Sequence, residues 1–126
     1  MTPTGRTLNK LRLTGWTCQT VEQWIPRLNI RRDLWGVGDV LAMREGSAVL
    51  LVQCTSGTNI SARIAKAVSE PRLRTWLATG QRFEVWGWAK RGRGRKVWAV
   101  RKVEVVLEAG ELVRKESLVD DSGGQL

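Results

Sequence analysis

Apolar and polar positions alternate along some stretches of this chain and recur at helical spacing along others. In "TGRTLNKLRLTG" (4–15), Leu8, Leu11 and the neighbouring Leu13 are apolar and Gly15 follows as a stop, which predicts a short amphipathic helix. "WTCQTVEQWI" (16–25) is rich in β-branched and aromatic residues and predicts one strand, ended by Pro26. "RLNIRRD" (27–33) reads as a basic loop. "VGDVLAMR" (37–44) and "AVLLVQCT" (48–55) are strands about the turn "EGS", so they predict a hairpin. The period then changes. Ile60, Ile64, Ala67 and Val68 fall at helical spacing, with Ser56, Thr58 or Asn59 as the N-cap. Pro71 opens a second helix that Gly80 closes. "RFEVWGWAK" (82–90) and "KVWAVRKVEVVL" (96–107) are strands around "RGRGR". The last dozen residues, ending "DDSGGQL", read as frayed.

This order is helix, three strands, two helices, two strands. A helical crossover between the third and fourth strands suits a parallel pairing within a mixed sheet. The expected class is α/β or α+β, with a central mixed β-sheet flanked by helices. At 126 residues, one domain is the natural size. Residues 1–106 form that domain in this reading, and 107–126 an acidic C-terminal extension.

Charge sharpens the picture. The net charge is +9, with 19 Lys and Arg against 7 acids in residues 1–106 and 2 against 5 in residues 107–126. A body of +12 beside a tail of −3 calls for a polyanionic partner, and nucleic acid is the default. The chain has no histidine and no tyrosine. That excludes histidine-metal nucleases, histidine acid–base ribonucleases, zinc deaminases and tyrosine recombinases, whose ligands, bases or nucleophiles are missing. A hydrolase here would use carboxylates, amides, hydroxyls, lysines and a metal ion. Cys18 and Cys54 lack metal-ligand spacing and read as reduced core residues. No run reaches the ~18–20 apolar residues of a membrane span. The N-terminal "MTPTGRTLNK" lacks the apolar stretch of a signal peptide, so the cytoplasm is the expected location.

Two places carry candidate chemistry. Across the predicted hairpin, Asp39 and Gln53 come together at the end away from the turn. A carboxylate and an amide carbonyl there can hold part of a Mg²⁺ shell, with water completing it. In the following helix, Asn59, Arg63 and Lys66 share one face. Either Arg63 or Lys66 reaches a phosphate, or both belong to a solvated stripe beside the core face of Ile60 and Ile64. Asp33 is open between a second metal ligand and an acid paired with Arg31 or Arg32. The "GVG" before Asp39 lacks the third glycine of a dinucleotide fingerprint. The second place is the tip "KRGRGRK", where Lys90, Arg91, Arg93, Arg95 and Lys96 crowd around glycines. Five positives in seven residues repel one another unless an anion is near. Trp86 and Trp88 beside it either pack in the core or stack on bases.

"GVGDVLA" and "VLLVQCTS", followed by a helix, resemble the PD-(D/E)XK nuclease superfamily, and more closely its Holliday-junction-resolvase and VRR-NUC branch and small phage-type proteins of that fold. "RRDLWGVGDVLA", "VQCTSGTNISAR" and "RFEVWGWAK" add to the likeness, which spans roughly residues 8–105 in element order. The resemblance implies a restriction-endonuclease-like core and a metal-dependent, resolvase-like DNA endonuclease. It further implies Mg²⁺ or Mn²⁺ as cofactor, DNA, branched DNA included, as partner, a homodimer, and a bacterial or phage-infected host cell. Asp39 matches the metal-binding aspartate. Gln53 stands at the acidic position, where some active members carry Gln, and Thr55 stands at the lysine position. Threonine is a departure, since it hydrogen-bonds but cannot supply charge to the phosphate. The glutamate that members often carry in the first helix is missing from residues 1–15, and Glu22 is the only early candidate. The expected catalytic set is Asp39, Gln53, Thr55 and Lys66, with Asp39, Gln53 and Glu22 on the metal. Lys90, Arg91, Arg93, Arg95, Lys96, Arg31, Arg32 and Arg63 are the expected nucleic-acid contacts. Two other readings stand beside this one: an inactive nucleic-acid-binding protein on the same fold, and a protein-binding regulator.

Overall fold

The computed structural model describes residues 1–120 of the chain. Its class is α+β: a six-stranded mixed sheet flanked by helices. The elements run α1 (Pro3–Leu13), β1 (Thr17–Thr20), β2 (Gln23–Ile25), β3 (Ile30–Arg32), β4 (Val40–Met43), β5 (Leu50–Ser56), α2 (Ile60–Val68), α3 (Pro71–Ala78), β6 (Arg82–Arg91), β7 (Val97–Glu108) and β8 (Glu111–Asp120). The main sheet has the order β1-β4-β5-β6-β7-β8. β5 and β6 are parallel, joined by the α2–α3 crossover, and the other neighbours are antiparallel. None of the helices is long and apolar enough to cross a membrane.

Each face of the sheet has its own core. Leu51, Phe83, Val85, Val103 and Val105 meet Ile60, Ile64, Ala67, Leu73 and Leu77 of α2 and α3. Val52, Cys54, Trp86, Trp88 and Val100 meet Leu11 of α1. The alternation along β5 and β6 produces this split, because successive side chains take opposite faces. Each fully buried Ile or Leu contributes about 1.5–3 kcal/mol. Gly87 sets how closely α2 approaches. A Cβ there would lie 3.0 Å from the Ile60 side chain and 3.2 Å from the Gly57 backbone.

The residues read as one strand (16–25) are divided. β1 ladders onto β4 from Thr17↔Met43 to Thr20↔Val40, and there its partner runs out. Before Val40 the chain turns back on itself through Trp35 and Gly36, both at positive φ. Gln23–Ile25 therefore pairs with Ile30–Arg32 instead, so the expected basic loop is half of a small separate hairpin. β8 is a further departure. Lys115–Asp120, expected to fray, pairs with β7 along with the rest of Glu111–Asp120. The two strands join through Ala109 and Gly110, both at positive φ as a tight two-residue hairpin turn requires. The remainder of the expected frayed end, 121–126, lies outside the described residues.

Candidate functional site

Asp39 immediately precedes β4, and its backbone ties two strands together. Its N–H donates to the Val52 carbonyl, and its carbonyl accepts from the Val21 N–H, both at 2.9 Å. Extending the β4–β5 register by one residue places Asp39 opposite Gln53. The Gln53 amide donates to Asp39 Oδ2 at 2.6 Å, and the Cys54 backbone N–H donates to the same oxygen at 2.9 Å. Both side chains are buried, at 7% and 4% exposure. They lie on the α2–α3 face of the sheet with Leu51. Gly38 permits this packing: a Cβ there would fall 2.3 Å from the Leu51 side chain. The glycine just before Asp39 therefore makes room for the core.

Burial pushes the Asp39 carboxyl up to about 7. The Cys54 N–H opposes the shift, while the nearby Asp33 and Glu22 carboxyls add to it. Glu22 lies in the two-residue link between β1 and β2, not on a strand as expected. Asp33 does not pair with Arg31 or Arg32. Arg31 reaches Glu22 instead, at 3.5 Å.

The other expected site residues divide. Lys66 extends from α2 over the Gly36 turn. Its Nζ lies 3.5 Å from the point where a Gly36 Cβ would sit, and Asp33 Oδ1 lies 4.0 Å from that point. Lys66 thus comes to the same side of the sheet as the acids. Thr55 is buried on β5 beside Gly87, without a route for a charge. Arg63 is half-buried on α2. Cys18 and Cys54 are free thiols, and burial raises Cys54 to about 12, so it is inert at neutral pH.

The basic tip is exposed from Lys90 to Lys96. Among the described residues no acid forms an ion pair with Arg91, Arg93, Arg95 or Lys96. Lys90 Nζ sits 5.6 Å from the Trp98 ring. Trp86 and Trp88 are core residues: Trp88 Nε1 donates to Thr7 Oγ1 at 3.0 Å and Trp86 Nε1 to Glu84 Oε1 at 2.9 Å. Of the two options open in the sequence, packing is the one realised.

One end of the sheet gathers much of this. β5 and β6 finish there, β1 ends there opposite the start of β4, and α2 begins just after β5. The tip and the start of β4 lie toward this end, while Gln53 sits in mid-β5 opposite Val85, six residues before β6 ends at Arg91.

No family model, curated protein or solved structure matches this chain.

Among the described residues, no three Asp, Glu, Cys or His side chains gather tightly enough to hold a metal ion. The donor set around Asp39 is instead two carboxylates, Asp39 and Glu22, and the Gln53 amide. Oxygen donors of this kind fit Mg²⁺, which keeps several waters and is commonly held by one or two carboxylates plus substrate phosphate. The Asp39 carboxyl is raised by burial first, with the Asp33 and Glu22 charges adding to the rise.

Proposed function

We propose that this protein is a metal-dependent DNA endonuclease, selective for branched structures in the manner of a resolvase, on a restriction-endonuclease-like core. The observation that carries the reading is the Asp39–Gln53 contact at 2.6 Å on adjacent strands, with Glu22 and Asp33 as the charges acting on Asp39. Asp39, Glu22 and the Gln53 carbonyl would hold Mg²⁺ or Mn²⁺. When bound, such an ion polarises a phosphoryl oxygen and makes its coordinated water a nucleophile near neutral pH.

The chain's own residues supply the rest. Gln53 fixes the Asp39 rotamer through its amide N–H. Lys66 replaces the charge that Thr55 lacks, from the helix and not from the strand. Its ammonium stabilises negative charge building on the scissile phosphate. Arg63 and the tip cations Lys90, Arg91, Arg93, Arg95 and Lys96 engage backbone phosphates and position the substrate. A homodimer would present two such sites to the two strands of a branch point.

A second reading is favoured by one observation. Thr55 is buried at the position where a nuclease of this kind has lysine. A nucleic-acid-binding protein without catalysis would carry that change at no cost.

Incubation with linear, nicked and four-way-junction DNA in Mg²⁺ or Mn²⁺ separates the two. The nuclease reading expects cleavage of the junction that Asp39→Ala abolishes and Lys66→Ala slows by roughly 10²-fold or more. Binding without cleavage in either metal selects the second reading.

A further inference from the structure

The β2–β3 hairpin stands apart from the main sheet. Its strands pair only with each other. Residues 23–32 hold Arg27, Arg31 and Arg32 and no acid. They also expose three large apolar side chains: Trp24 at 50%, Leu28 at 56% and Ile30 at 42%. All seven tryptophans lie in the described residues, and Trp24 alone is exposed. It sits directly across the ladder from Arg31, so an indole and a guanidinium share one face of the hairpin.

The hairpin is rooted at the acids. Glu22 precedes its first strand and Asp33 follows its second, and both act electrostatically on Asp39. The base of the hairpin therefore lies beside Asp39, whose carbonyl accepts from the Val21 N–H.

We propose that this arm receives an unpaired nucleotide, its base stacked on Trp24 and its phosphate on Arg31 or Arg32. The proposal rests on the nucleic-acid part of the proposed function and is independent of catalysis. An exposed indole flanked by guanidinium groups matches a base and its phosphate, because every base offers a π face and the phosphate supplies the opposite charge. In an intact duplex both base faces are already stacked, so the arm acts on bulges, branch points and single strands. A second copy of the chain is the other candidate occupant. Charge disfavours it, since it would bring a +9 molecule onto an arm of three arginines, of which Arg31 alone has an acid partner among the described residues, Glu22 at 3.5 Å.

Binding measured in EDTA, where cleavage is silent, tests this on the full chain. The probes are a fluorescein-labelled duplex and the same duplex with a bulge of unpaired thymidines. Trp24→Ala is expected to weaken binding to the bulged probe by about 10-fold, the scale of one missing base stack. Binding to the paired duplex should stay within about 2-fold, and Trp24→Phe should recover most of the loss. Equal loss on both probes, or no loss on either, overturns the proposal. So does a wild-type dimer in sedimentation that Trp24→Ala dissociates without changing the bulge preference. A Trp24-dependent bulge preference with no cleavage in any metal sustains the arm and removes the nuclease reading. Wild-type protein that binds neither probe removes both. Unfolding midpoints of the two variants, expected to match wild type at this exposed position, exclude misfolding as the cause.

Discussion

Asp39 and Glu84 are two carboxylates buried to the same depth, 7% exposed each, on opposite faces of one sheet. Their surroundings differ in sign. Glu84 accepts from the Arg82 guanidinium and from Trp86 Nε1, both at 2.9 Å, and Lys102 lies close enough to favour its charge. Arg82 is shared with Glu104, at 2.9 Å. Burial raises Glu84, and these partners offset part of the rise. Asp39 has neutral N–H donors from Gln53 and Cys54, and the charges acting on it are negative. A structural carboxylate carries its counter-charge with it. A carboxylate buried among like charges is short of a cation, and a ligand is the natural source of one.

The contrast breaks most sharply by substitution. Asp39→Asn keeps an acceptor for Gln53 and Cys54 but removes the buried charge. It should raise stability at pH 8, by up to about 4 kcal/mol on a shift to about 7, while abolishing cleavage. Glu84→Gln should gain less, because Arg82, Trp86 and Lys102 already offset part of the burial of its charge. Urea unfolding of both variants at pH 8 reads the difference in size. Equal gains for the two variants, or a larger gain for Glu84→Gln, would erase the distinction.

Gln53→Glu sharpens it. A second carboxylate 2.6 Å from Asp39 Oδ2 should destabilise the metal-free protein by about 1–3 kcal/mol at pH 8. Added Mg²⁺ should restore much of that, as a midpoint shift larger than in wild type. If Mg²⁺ leaves the variant's midpoint unmoved, the ion does not bind at this pair.

The pH dependence follows from the sign of the Asp39 shift. The folded carboxyl holds its proton up to about 7, whereas the unfolded one releases it near 3.8. This contribution to stability is whole below the unfolded value and is lost as pH rises from about 4 to about 7. Wild-type stability should therefore fall across that window relative to Asp39→Asn in parallel titrations. A constant difference between the two curves would contradict it. The smallest effect belongs to the tip. Replacing Lys90, Arg91, Arg93, Arg95 and Lys96 by serine should change stability by under about 0.5 kcal/mol. It should lower the salt dependence of DNA binding by roughly one unit for each phosphate that the tip no longer neutralises.

The mixed sheet, the parallel β5–β6 pair and the meeting of Asp39 with Gln53 were legible in the chain because alternation and turn chemistry are local signals. β8 was less so. Leu112-Val113 and Leu118-Val119 come as doublets among charges, as suits an edge strand facing water, and the Ala109-Gly110 turn is weaker punctuation than Asn-Gly. The break after Thr20 was illegible for another reason: nothing in "TVEQW" ends a strand. The ladder stops because its partner turns away at Gly36, a tertiary cause that composition does not record. The same break lifts Glu22 off the strand and exposes Trp24. The fate of Trp86 and Trp88 turned on α1, whose Thr7 accepts from Trp88 and whose Leu11 covers the same face.

The central claim is that Asp39 is a buried carboxylate awaiting a cation. Its pKa, followed by carbon-detected NMR of the side-chain carboxyl with and without Mg²⁺, tests this most directly. A value near 7 is expected in the metal-free protein, with a fall of more than about one unit when Mg²⁺ is added. A value near 3.8 in the metal-free protein, or one that Mg²⁺ leaves in place, would contradict it.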